Sequence, residues 1–160
     1  MAKYTTVAED VASGTALKTI LQLANPVANP GSHRIAVYGY RISYRGTNSS
    51  AQPVRTVIAR QTAAGGGGAS APAAVPVVKL DPGTPDSAMT AVKGPSSAWT
   101  TEPTLGDILF AQRIHPQTGM GEFIPLGDEV VLAPGGWLAV MVHAAATVDV
   151  TAQLYWREGH

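Results

Sequence analysis

The chain has 160 residues, enough for one domain with a real core, and carries 11 basic and 11 acidic side chains for a net charge of zero. A protein that grips phosphate backbones shows a clear positive excess, so this balance argues against nucleic-acid binding. There is no cysteine, which removes disulfides, thiolate metal sites and thiol nucleophiles. Only 14% of residues are charged, and an uncharged surface at zero net charge favours association with neighbours. The opening MAKYTTVAEDVASG lacks the basic start and apolar run of a signal peptide, and no stretch approaches the roughly 20 apolar residues of a membrane helix. Synthesis in a cytoplasm, without export by the usual route, is expected.

Residues 1–14 are polar to mixed and end at Gly14; they read as an N-terminal arm. Thr15 to Leu23 is predicted as a strand with Leu17, Thr19, Leu21 and Leu23 on one face. Asn25-Pro26 and Asn29-Pro30-Gly31 make a turn region. Arg34 to Arg45 is a second strand, with Tyr38, Tyr40, Ile42 and Tyr44 on one face and Ile35, Val37, Gly39 and Arg41 on the other; Gly39 marks a bulge or a close approach. Gly46 to Ser50 turns into a third strand, Val54 to Arg60, and the two are expected to form a hairpin.

From Gln61 to Thr101 the chain is rich in Gly, Pro, Ala and Ser and reads as a loop-rich insertion, either partner-contacting or inert. Within it Val75 to Leu80 has strand character, limited by Pro76 to a sheet edge, and Ser87 to Lys93 is predicted as a turn or two of helix. Strands resume at Thr104 to Ile114, Met120 to Leu126 and Glu129 to Leu132, and Pro134-Gly135-Gly136 is a tight turn. Trp137 to His143 is almost continuously apolar, as in a strand covered on both faces. Val148, Val150, Ala152, Leu154 and Trp156 alternate with Asp149, Thr151, Gln153 and Tyr155, the mark of a half-buried strand. These last two strands read as a closing hairpin. About eight short strands at this spacing predict an all-β chain: a single antiparallel β-sandwich or jelly-roll-like domain over residues 15–160, after the arm of residues 1–14.

No residue constellation points to catalysis. The four glycines Gly65 to Gly68 lead to no Lys-Ser or Lys-Thr and no helix, so they read as a hinge or open loop rather than a phosphate loop. His33, His115, His143 and His160 have no ligand spacing, and the carboxylates sit mostly beside Pro or Gly, where Asp favours turns. There is no Gly-x-Ser-x-Gly elbow. No catalytic, metal or cofactor site is assigned. Trp137 and Trp156 fall in strand patterns as core or subunit-interface residues, and Trp99, in the Pro/Ser-rich stretch, either anchors the loop or docks on a partner. The candidate partner or interface residues are Tyr4, Trp99, Trp137, Tyr155 and Trp156.

Several segments resemble small virion proteins of tailed bacteriophages. They are Glu-Pro-Thr-Leu-Gly-Asp (Glu102 to Asp107), His-Pro-Gln-Thr-Gly (His115 to Gly119), the Gly-Gly-opened strand Gly135 to Val140, and the closing Val148 to Ala152. The strand pair from Arg34 to Arg60 and Val78 to Pro82 share the likeness, which spans about residues 15–158. The resemblance implies a β-sandwich of the phage particle without catalysis. A decoration protein is expected, a homotrimer cementing the capsid surface through the major capsid protein, with neither nucleic acid nor membrane as partner. A tail-associated or receptor-binding jelly-roll module, its Gln61 to Thr101 loop on a host glycan or protein, is the alternative. A carbohydrate hydrolase on a β-sandwich ranks last.

Overall fold

The structure, a computed structural model, describes residues 1–28, 34–46, 52–67, 72–95 and 98–159. The expected turns at Asn29-Pro30-Gly31 and Thr47 to Ser50, and His33, Gly68 and His160, lie outside these residues. Among the described residues every regular element is a strand, and the two main sheets are antiparallel and face each other across one core, as the β-sandwich expectation requires.

The first sheet runs in the order β11 (Gly119–Phe123), β3 (Ile35–Arg45), β14 (Asp149–Glu158), β1 (Ala2–Ala12), β7 (Val77–Lys79). A short β12 (Val130–Leu132) continues β11's place along the same strand, β3. The second sheet runs β10 (Thr104–Ile114), β4 (Val54–Ala63), β13 (Trp137–His143), β2 (Lys18–Ala24), β8 (Thr90–Lys93), β6 (Ala73–Ala74). A separate pair, β5 (Gly66–Gly67) and β9 (Trp99–Thr101), completes the set.

The predicted alternation of the last strand holds residue by residue: β14 buries Val150, Ala152, Leu154 and Trp156 and leaves Thr151, Gln153 and Tyr155 on the outer side. The continuous apolar run of β13 also has its reason. Leu138, Val140 and Val142 join the main core. On the opposite face Ala139 and Met141 pack with Val57, Ala59 and Leu17 in a second cluster. This outer face also buries a polar row, in which Gln22 donates to Gln61 (2.5 Å) and Gln61 to Thr19 (2.9 Å), so its amides are satisfied rather than stranded.

The stretch between β8 and β10 is tied to this face: Glu102 accepts from the Thr19 backbone N–H at 3.0 Å and pairs with Lys18 at 3.3 Å. Trp99 anchors that stretch, buried against Gly65 and Gly94; a Cβ on either glycine would collide with its ring. Anchoring, of the two roles open to Trp99, is the one the structure displays.

Six readings are corrected. Residues 1–14 are not an arm: Ala2–Ala12 is an interior strand hydrogen-bonded to β14 on one side and β7 on the other. Its inward residues are Ala2, Tyr4, Thr6, Ala8 and, past a shift in register, Val11, too small and too polar on average to announce a strand. The pair β3 and β4 is not a hairpin, since the two lie in opposite sheets, and β13 and β14 likewise belong to different sheets. The connection after β13 crosses the sandwich instead, with Ala144 buried and Ser13 N–H bonded to Val148 C=O at 2.9 Å. Ser87 to Lys93 contains the strand β8 rather than helix, because its backbone completes the second sheet beside β2. The segment Gln61 to Thr101 is more regular than expected: it carries β5 to β9, with β7 closing one sheet edge and β8 and β6 the other. Tyr38 leaves the face assigned to it, as the site below explains.

Candidate functional site

The outer face of the first sheet carries a compact array of polar and aromatic side chains. Antiparallel register sets it out in three rows across β11, β3 and β14. Gly119, Ser43 and Thr151 are mutual partners in one row, Gly121, Arg41 and Gln153 in the next, and Phe123, Gly39 and Tyr155 in the third. Rows lie two residues apart along each strand, so the patch measures about 10 Å by 14 Å.

A bulge builds its aromatic end. Tyr155 pairs with Gly39 and Trp156 with Val37, which leaves Tyr38 as the extra residue. Ile35 and Val37 therefore point inward along with Tyr40, Ile42 and Tyr44. Tyr38 is turned outward, where it meets Phe123 (ring centroids 6.2 Å apart) and Tyr155 (6.2 Å). Phe123 and Tyr155 close over Gly39 with centroids 5.3 Å apart. A Cβ at Gly39 would lie 2.5 Å from the Phe123 ring, so glycine lets the ring close over the strand there.

The Arg41 guanidinium lies over both rings, 5.7 Å from the Phe123 centroid and 5.8 Å from that of Tyr155. Burial, reinforced by the neighbouring Tyr155, raises the Tyr38 pKa above its ordinary value. Beside the rings the glycine positions of β11 leave a trough of about 540 Å³ walled by Arg41, Ser43, Phe123, Thr151 and Gln153. Gln153 is held by donating to Thr5 Oγ1 at 3.0 Å, and Thr5 in turn donates to Leu154 C=O at 3.0 Å.

A second feature lies where β10 faces β11 and β12 across the sandwich. Among the described residues β10 has β4 on one side and no strand on the other, and it exposes Leu105, Ile108 and Leu109. Across the gap, the segment from Ile124 to Val131 exposes Leu126, 82% exposed, and Val131. Between the two lips a cavity of about 360 Å³ is lined by Leu109, Phe110, Ile124, Val130 and the polar pair Tyr40 and Glu122. Tyr40 donates to Glu122 at 2.8 Å; burial first, and this bond second, push its pKa well up.

Of the five predicted contact residues, only Tyr155 stands in this outer array. Tyr4 and Trp156 are fully buried and stacked on each other, so neither is available to a partner. Trp99 is buried beneath its own loop, and Trp137 is half-buried on the second sheet opposite Gln61 and Ala24. Sequence reasoning missed Tyr38, Phe123 and Arg41. The available signal was the every-second-residue series Gly119, Gly121, Phe123 beside a glycine in β3, which leaves one face of a sheet bare up to a ring.

Other titratable groups serve the fold. Glu158 is buried and accepts from Trp156 Nε1 (2.9 Å), the Ala88 N–H (3.1 Å) and the Ser87 hydroxyl. Glu129 pairs with Arg157 and takes the Gly127 N–H at 2.9 Å. His115 accepts from the Gln117 N–H within its own turn, and His143 sits at the strand end opposite Arg55. Among the described residues no three His, Asp or Glu side chains gather as a metal site. Comparison of the chain with protein-family models, curated proteins and solved structures finds no match.

Proposed function

We propose that this chain is a structural protein of a tailed-bacteriophage particle, a decoration protein that binds the outside of the capsid and stabilises it without catalysis. It is made in the host cytoplasm, associates as a homotrimer and contacts the major capsid protein. The phage-like segments between Glu102 and Ala152 supply the family reading. The strand order supports a jelly roll: the eight long or paired elements β1, β2, β3, β4, β10, β11 with β12, β13 and β14 fill two sheets in the orders β11/β12-β3-β14-β1 and β10-β4-β13-β2. Capsid proteins are among the users of that arrangement.

The observation that carries the proposal is the apolar lip of the sandwich. A free strand edge is a template for pairing with another chain, and monomeric proteins blunt such edges or keep them short. Here an 11-residue edge strand exposes Leu105, Ile108 and Leu109, and Leu126 and Val131 are exposed on the segment that shares its cavity. Apolar surface of this extent marks an interface with protein. A head-to-tail contact of this lip with another surface of the next copy closes a three-fold ring. The test adds the purified chain to phage particles lacking it and follows shell rupture on heating. Saturable binding with a raised rupture temperature is expected, and particles that neither bind it nor gain stability refute the proposal.

A further inference from the structure

We infer that the three-row array on the outer face of the first sheet is a binding site for an acidic saccharide. The inference is separate from the capsid reading, since it concerns a different face and stands wherever on the particle the chain resides.

A sugar ring offers two surfaces to a protein: an apolar face of C–H groups and a rim of hydroxyls. The array matches both in order. Phe123 and Tyr155, with Tyr38 behind them, present ring surface at one end. The hydroxyls of Ser43 and Thr151, directly opposite each other, lie at the other end. Gln153 stands between them, its amide fixed by the bond to Thr5, so its carbonyl oxygen and second N–H are presented without further loss of freedom. The patch of about 10 Å by 14 Å suits two or three sugar rings.

Arg41 makes the site selective for charge. Its guanidinium is held by two aromatic faces instead of by a carboxylate, and none of the ion pairs among the described residues involves it. Its N–H fork is thereby positioned at the trough wall, paired with no Asp or Glu among the described residues. A carboxylate is the group that fits such a fork in a bidentate fashion. Because the aromatic rings and the fork share one trough, a ligand must carry both an apolar ring face and an acid.

The experiment titrates the full chain with sialyllactose and trigalacturonate, and with their neutral counterparts lactose and methyl-esterified trigalacturonate, following backbone amides by NMR. Saturable shifts at Gly119, Arg41, Gly121 and Thr151 are expected with at least one acidic sugar, with affinity at least about tenfold above its neutral counterpart. Arg41→Gln removes that difference, and Phe123→Ala weakens both members of the pair. Both side chains are exposed, and unchanged thermal unfolding verifies the fold of each variant. Three results overturn the inference: no saturable shift with either acidic sugar, equal binding of acid and neutral forms, or competition by inorganic phosphate as effective as by the acidic sugar itself, which marks a general anion site.

Discussion

Tyr4 lies against Trp156 with ring centroids 6.0 Å apart and planes inclined by 25°, and neither side chain touches solvent. This contact joins β1 to β14, whose backbones pair at these two residues. It also converts the first residues of the chain from an accessory into part of the core.

Removing residues 1–14 is therefore expected to unfold the domain rather than merely to weaken attachment to a partner. Tyr4→Ala isolates the effect. It empties a fully buried site and takes away the bond from the Tyr4 hydroxyl to Pro85 C=O (2.9 Å), at a cost of about 3–5 kcal/mol. Urea unfolding measures it, and a loss below about 1 kcal/mol would remove β1 from the core.

Glu158 fastens the segment around Ser87 to the end of β14, through its bonds to Ser87, Ala88 and the Trp156 indole. Glu158→Ala strands these donors and is expected to cost at least about 2 kcal/mol. Glu158→Gln retains an acceptor oxygen and should cost less than half as much. Equal effects of the two substitutions, read from chemical unfolding, would show that the acceptor is irrelevant.

Trp99 holds the covering stretch against Gly65 and Gly94. In Trp99→Ala the stretch opens while the two sheets persist, so limited proteolysis between residues 61 and 101 should accelerate by about tenfold or more. Gly94→Val should act in the same direction, since its side chain would occupy the place of the indole ring. Unchanged cleavage rates in both variants would refute the anchor.

The tyrosines set an alkaline limit. Burial pushes Tyr44 up to about 12, against a small lowering by its bond to Thr56, and burial also raises Tyr4, Tyr38 and Tyr40. A raised folded-state pKa means the unfolded chain releases these protons first. Stability from this source is complete below about pH 10 and is lost as pH climbs toward and through the folded values, near 12 for Tyr44. Tyrosinate absorbance followed alongside unfolding checks this; tyrosine titration centred at 10 in the intact protein contradicts it.

The exposed lip offers a separation of folding from assembly. Ile108→Lys and Leu126→Lys place charges on side chains that contribute little to the core, so stability should change by no more than about 0.5 kcal/mol. Self-association measured by sedimentation should fall by about tenfold or more. Retention of the same assembly state would move the interface elsewhere.

The all-β class and the strands β13 and β14, though not their assignment to different sheets, were legible because periodicity records burial directly: Val150 to Trp156 alternate, and Trp137 to His143 do not. Partner assignment was not legible. Whether β3 pairs with β4 or with β14 depends on how the connections cross between sheets, and both alternatives satisfy the same local pattern. The strand β1 was hidden because Ala, Thr and one Tyr carry most of its inner face, with Val11 beyond a break in register. The outer array escaped notice for a different reason. A single extra residue at Tyr38 reverses which side chains of β3 face out, and one-residue shifts are invisible to a pattern of period two. Gly39 gave notice of an irregularity there but not of its direction.

The most direct test of the central proposal is the copy number of this chain in purified virions, measured by quantitative mass spectrometry against the major capsid protein. A decoration protein is expected at a ratio approaching that of the shell subunit. A ratio at the level of tail components, or absence from the particle, would contradict it.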